Sequence, residues 1–213
     1  MPNSYSKSRD HILTRCKSLV GKIVPTKVIN CFFKAKRLFV YTNYDSTAYW
    51  KKRAQDPGQA AVLWKNQEYN ALYRIIQKKI LYEFLPEKSE KAVRILDIGC
   101  GIGIVSKMLV DYHPLIHVDA VDFPEMIQIA KQQSPSPQIS YIESSAEDYC
   151  NRQKEYDFII SSACFSAIRN IPTMEKAIMN CTKMLDEKGI IIMIDPFHRW
   201  KYLARVKYNS KDV

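Results

Sequence analysis

Asp97, Gly99, Gly101 and Gly103 carry the most chemical information in this chain. Three of its six glycines stand at alternate positions in Ile95-Leu96-Asp97-Ile98-Gly99-Cys100-Gly101-Ile102-Gly103, between an apolar run and a sequence suited to a helix. Glycine costs conformational entropy, so this spacing implies a backbone that bends through positive φ and lets a ligand approach closely. Asp97 adds a carboxylate at the end of the apolar run. A dinucleotide loop of the form Gly-x-Gly-x-x-Gly requires glycine at 104 when started at Gly99, where Ile104 stands. Started at Gly101 it requires glycine or alanine at 106, where Ser106 stands. Neither register is met, which disfavours a pyrophosphate on the following helix and with it a nucleotide-dependent oxidoreductase.

The string resembles the nucleotide-loop motif Asp/Glu-x-Gly-x-Gly-x-Gly of class I S-adenosylmethionine-dependent methyltransferases. That resemblance covers roughly the second half of the chain and implies S-adenosylmethionine as cofactor, with Asp97, Gly99, Gly101 and Gly103 around it. The short apolar run 117–121 ends in Asp122, 19 positions after Gly103. A strand-end carboxylate there suits both hydroxyls of a ribose, although alone it reads as a solvated side chain. Phe123 would then offer adenine a flat apolar face, and Pro124 suits the first turn of a helix over 125–133.

The resemblance also implies an adenine-reading turn at Ser144-Ser145-Ala146, with the Ser145 side chain and the Ala146 backbone facing the base. Many family members carry Asp where Ser145 stands, and a helix cap is the competing reading of these serines. A strand over 156–162 ends in Ser161-Ser162, and in the family this strand end faces the methionine part of the cofactor, which places Ser161 in the site. The segment Ser161-Ser162-Ala163-Cys164 lacks the proline pair common in enzymes that methylate exocyclic or amide nitrogens. Methyl transfer to oxygen is therefore the expectation. A base for such an oxygen would be His198 or Asp195, with His198 the catalytic candidate; both also read as plain loop residues.

These residues need a frame, and the pattern supplies one. Residues 92–195 read as five strands alternating with helices, the pattern of a parallel sheet covered on both faces. The fold class is α/β: a Rossmann-like doubly wound parallel sheet of the class I methyltransferase type, lacking the last two strands, with an N-terminal helical extension. The singled-out residues fall at strand carboxyl ends, where a ligand crevice opens. The first strand is expected from about 92 to the glycine loop and the others at 117–121, 138–142, 156–162 and 190–194, with a helix over 173–185 and a turn over 186–189. The chain divides into a basic amphipathic segment 1–43, a helical cap 44–90, the cofactor-binding core 91–195 and a short basic tail 196–213. In the cap, Leu72, Ile76, Ile80 and Phe84 recur at helical spacing and are expected to cover the first strand. The resemblance suggests that Tyr49, Trp50 and Arg53 lie over the cofactor, Arg53 pairing with its carboxylate; packing by Trp50 is the alternative.

The 213 residues are 46% apolar, enough for a real core, and carry a net charge of +10. Much of that excess lies in residues 1–40, where Lys7, Arg9, Arg15, Lys17 and further cations face the single acid Asp10 and alternate with apolar residues. Such a segment suits an anionic membrane surface, or else one or two helices with a solvated basic face. No recognised module points to specific nucleic-acid binding. Six cysteines without any Cys-x-x-Cys read as reduced thiols, and the four histidines show no metal-ligand spacing, so no metal is expected. With no apolar run of membrane-span length, the expected location is cytoplasmic, with peripheral attachment to the inner membrane face. The expected reaction is methyl transfer to a small-molecule or lipid- or sugar-linked acceptor. The alternative is a noncatalytic protein of the same fold acting as a membrane or partner module.

Overall fold

The computed structural model describes residues 46–195, apart from 88, 152, 154 and 169. The expected basic segment 1–43 and the tail 196–213, His198 included, lie outside these residues.

Val93–Ile98 forms β1, an apolar strand buried on both faces except at Arg94, as a central parallel strand must be. It pairs in parallel with β2 (Ile116–Asp122) on one side and β4 (Tyr156–Ser162) on the other. β3 (Ile139–Glu143) and β5 (Leu185–Ile194) complete a five-stranded parallel sheet in the order β3-β2-β1-β4-β5. The order reverses between β1 and β4, so the carboxyl ends of β1, β2 and β4 open a common mouth.

Helices cover both faces. α1 (Ser46–Arg53) leads through a short 3-10 turn (Gly58–Ala61) to α2 (Gln67–Phe84), capped by Asn66, whose side chain accepts from the Tyr69 N–H. α3 (Ile104–Val110) follows the glycine loop, and α4 (Pro124–Gln133) begins with proline, which needs no amide partner there. Leu81 of α2, Leu109 of α3 and Ile127 of α4 pack with Val93, Ile95 and Val118 on one side of the sheet. On the other side α5 (Ile171–Met184), capped by Asn170, packs Ala177, Cys181 and Met184 against Leu96, Ile98 and Tyr156.

Three expectations change. The regular alternation breaks between β3 and β4, where the described residues form a turn in place of a helix. The strand expected at 190–194 begins at Leu185, and Asp186–Gly189 bulges from the ladder between the pairs Tyr156–Leu185 and Phe158–Ile190. At Gly189 an added Cβ would fall 2.8 Å from the Tyr156 carbonyl oxygen, so the bulge holds glycine against the neighbouring backbone. The third change concerns α2. Leu72, Ile76 and Phe84 are about half exposed and Ile75 is 67% exposed, while Asn70, Gln77 and Leu81 are buried. The apolar stripe at i, i+4, i+8 therefore faces away from β1, and a mostly polar stripe faces inward.

Candidate functional site

The glycine loop runs between the ends of β1 and α3. Gly99, Gly101 and Gly103 have φ of +74°, +57° and +78°, conformations that glycine adopts without steric penalty. The Gly99 and Cys100 amides both donate to the Val121 carbonyl, so the loop's first turn is fixed to the end of β2. A Cβ on Gly99 would overlap Cys164, and one on Gly101 would lie 2.6 Å from Val62 Cγ1. At Gly103 it would reach 2.5 Å from the Tyr141 hydroxyl. The third glycine thus serves packing against β3 and α4, whereas the first two face the chain segments that roof the mouth.

Two carboxylates stand beside this loop. Asp97 is 1% exposed; its Oδ2 accepts from Ser106 Oγ at 2.6 Å, and its Oδ1 is buried without a hydrogen-bond partner. Burial pushes the Asp97 pKa up to about 6, with the nearby Asp122 charge adding to the rise and the Ser106 hydroxyl opposing it. Asp122 at the end of β2 accepts the Phe123 N–H on Oδ1 and the Gly101 N–H on Oδ2, each at 2.7 Å. Burial raises it too, to about 6, against those two amides. Asp122 therefore ties β2 to the glycine loop, a role that the sequence reading did not assign. Each of its oxygens keeps a lone pair for a further donor such as a ribose hydroxyl.

A group that fits here brings a donor to Asp97 Oδ1, hydroxyl donors to Asp122 and close contact to the loop. The ammonium and ribose hydroxyls of S-adenosylmethionine meet that donor set, with the sulfonium-linked chain between them. Phe123, partly buried, caps the N-terminus of α4 beside Asp122. Ser145 Oγ donates to Asp148 Oδ2 at 2.8 Å, so its hydrogen is engaged in the turn, while its oxygen can still accept from an exocyclic amine. Ala146 is half-buried in the same turn. Ser161 is fully buried and donates to Asp195 Oδ2 at 3.2 Å; Asp195 Oδ1 in turn accepts the Ser166 N–H. Asp195 thus joins the ends of β4 and β5. Among the described residues no group of histidine, cysteine and carboxylate side chains could hold a metal ion.

Several residues at the mouth were not singled out by the sequence reading. Cys164, directly after the left-handed Ala163 at φ +61°, stands over Gly99, and burial together with the Asp122 and Asp195 charges pushes its thiol up. Gln77 Nε2 donates to Ser162 Oγ at 2.5 Å, and Arg74 Nη1 donates to Gln77 Oε1 at 2.5 Å. No sequence signal marks them, because α2 reaches the site through its polar stripe. Trp50 packs with Ile102 and Met126, which places α1 against the loop. Arg53 is otherwise engaged: its Nη2 donates to the carbonyls of Ala60 and Leu63, and its Nε lies 3.4 Å from Asp56. It holds the 54–63 connection together and is not available to a ligand carboxylate.

Residues 95–189 match the family model described as a methyltransferase domain. A malonyl-[acyl-carrier protein] O-methyltransferase of Ilyobacter polytropus is 35% identical over 100 residues, 45% of this chain and 37% of that protein. The Bacillus cereus protein of the same name is 31% identical over 126 residues, 56% of this chain and 45% of that one. The chain thus matches less than half the length of these relatives. In fold it is similar to the N-methyltransferase NodS of Bradyrhizobium japonicum, solved with S-adenosyl-L-homocysteine, with a TM-score of 0.55, 17% identity and coverage of 70% of this chain and 72% of that one.

Proposed function

We propose, from the premise that residues 95–189 are a class I S-adenosylmethionine-dependent methyltransferase domain, that this chain transfers a methyl group to an oxygen of a small-molecule or of a lipid-, sugar- or carrier-linked acceptor. The observation that carries the reading is the buried, unpartnered Asp97 Oδ1 beside a loop of three positive-φ glycines. A buried acceptor without a donor costs about 1–3 kcal/mol, a cost that a cationic donor from a ligand removes.

When bound, the cofactor supplies an activated methyl on a sulfonium, so the protein's part is to position the reactants and exclude water. In this reading Asp97 accepts from the ammonium, Asp122 from the ribose, and Phe123, Ser145 and Ala146 line the adenine end. Gly99 and Gly101 give the close approach while Gly103 packs the loop against β3 and α4, and Ser161 with Ser162 forms the floor at the reacting end. Oxygen as the acceptor atom is supported by the names of the relatives and by the missing proline pair after Ser162. His198 keeps the place of a general base in this proposal, and residues 1–40 that of an anionic-surface contact.

The test uses the full chain with tritiated methyl on S-adenosylmethionine, offered a malonyl thioester, hydroxylated lipids and sugars. Label is expected in an oxygen-linked product, and His198→Ala should slow its formation. Absence of S-adenosylhomocysteine binding in calorimetry would overturn the reading. Vesicle sedimentation checks the surface contact: binding to anionic vesicles should be released by salt.

A further inference from the structure

α2 turns the more apolar of its two stripes toward solvent. Leu72 and Ile76 are about half exposed and Ile75 two-thirds exposed, with Ala71 exposed beside them. The helix cannot roll to bury them, because its opposite stripe is pinned. Leu81 sits in the core, the Asn70 side chain bonds to the Trp64 backbone, and Gln77 donates to Ser162. Contiguous exposed apolar side chains mark a contact face.

The charges at the ends of this face say what it fits. Glu68 lies one turn before Leu72 and Lys79 one turn after Ile75. Both are exposed, and neither makes an ion pair among the described residues. Positions 68, 72, 75 and 79 follow at steps of four, three and four, which keeps them on one seam of the helix and reads the same from either end. A second copy of the helix, turned end for end about an axis midway between 73 and 74, therefore sets Leu72 against Ile75, Ala71 against Ile76 and Glu68 against Lys79, each pair occurring twice. The small Ala71 opposite the larger Ile76 lets the two helices approach to the usual separation of roughly 8–10 Å. A parallel, in-register pairing sets Glu68 against Glu68 and Lys79 against Lys79, and like charges across an interface are unfavourable. An anionic bilayer fits less well, because Glu68 and Glu83 stand on this side of α2 along with Lys78 and Lys79, so the helix brings such a surface no net charge.

We propose that the outward face of α2 is a self-complementary interface through which two copies of this chain associate, antiparallel, about a two-fold axis. One helix of 18 residues per copy is a small contact, at the low end of specific interfaces. Association is therefore weak, in the micromolar range, and the dilute chain is a monomer whose stability it does not change.

Analytical ultracentrifugation of the full chain at physiological ionic strength, over concentrations reaching hundreds of micromolar, reads the mass directly. Wild type should pass from monomer to dimer as concentration rises. Ile75→Glu, at an exposed position, should weaken the dimer by roughly 100-fold, because a two-fold contact registers each substitution twice. Glu68→Lys and Lys79→Glu should each weaken it by roughly 10-fold, and the chain carrying both reversals should dimerise as wild type does. That rescue also excludes misfolding as the cause of the single losses, and far-ultraviolet circular dichroism checks the fold of Ile75→Glu. The proposal is overturned if wild type stays a monomer throughout, or if its dimer survives Ile75→Glu. Charge reversals that leave the dimer unchanged, or that the double reversal fails to rescue, overturn the antiparallel pairing. A monomeric wild type that sediments with anionic vesicles, and loses them on Ile75→Glu, would assign the face to a bilayer and overturn the proposal as well.

Discussion

Asp97 and Asp122 crowd two carboxyls into one small volume, and their titration gives the site a measurable signature. Both have folded-state pKa values of about 6 against an ordinary 3.8. Between those values the ligand-free fold holds more protons than the unfolded chain. Its stability therefore falls as pH rises from about 4 to about 6, and the penalty is fully present above that. The size is on the order of 2–3 kcal/mol per carboxyl, shared because the two repel and lose their protons as a pair. A ligand that donates to these oxygens favours their charged forms, so its affinity runs the other way. The ligand-free protein is expected to melt higher at pH 5 than at pH 7.5, while S-adenosylhomocysteine binds more tightly at pH 7.5 than at pH 5.5. Asp97→Asn should flatten both trends, as read by thermal melts and calorimetry. A pH-independent affinity would remove these carboxylates from the site.

Among the elements, the loop and the strand ends were legible because their chemistry is local: alternate glycines, an acid at a strand end and a proline at a helix start each act within a few residues. α2 was not legible in its orientation. Its stripe of Leu72, Ile76, Ile80 and Phe84 is the more apolar, yet the buried face carries Asn70, Arg74 and Gln77, whose partners Trp64, Gln59 and Ser162 lie 6 to 85 residues away in sequence. Hydropathy periodicity cannot register a polar face that is satisfied by distant partners. The orientation can be checked by mutation. Leu81→Ala, at a fully buried position, is expected to cost about 2–5 kcal/mol in chemical denaturation, and Ile75→Gln should stay within about 0.5 kcal/mol of wild type. Equal costs would reverse the assigned face. The loop allows a similar comparison, because Gly58 and Gly99 both have positive φ but only Gly99 has a side chain in the way. Gly58→Ala should cost about 1–2 kcal/mol from backbone strain alone. Gly99→Ala should cost more, since Cys164 must also move.

At the scale of the molecule, the sheet separates what holds the fold from what would bind a ligand. Tyr156 opens β4 at the end of the sheet away from the mouth. Its buried hydroxyl donates to Asp119 of β2 at 2.6 Å and meets the Tyr149 hydroxyl at 2.9 Å, which links two strands and the turn before β4. Burial and those two partners push the Tyr156 pKa up, so the group stays a neutral donor. The opposite strand ends carry Asp97, Asp122, Ser161 and Ser162, and parallel strands rigid along their length couple the two ends only through the fold's overall stability. Tyr156→Phe removes a buried hydrogen bond to a carboxylate and is expected to cost about 1–3 kcal/mol. S-adenosylhomocysteine at about 100 times its Kd should add roughly 2.7 kcal/mol to wild type, a rise in thermal midpoint of roughly 5 to 10 °C for a chain of this size. If the two ends are independent, the ligand raises the midpoint of Tyr156→Phe by the same amount and binds it with unchanged affinity in calorimetry. A smaller rise in the variant, with weaker binding, would show that the Tyr156 network reaches the mouth and that the sheet does not keep its two ends apart.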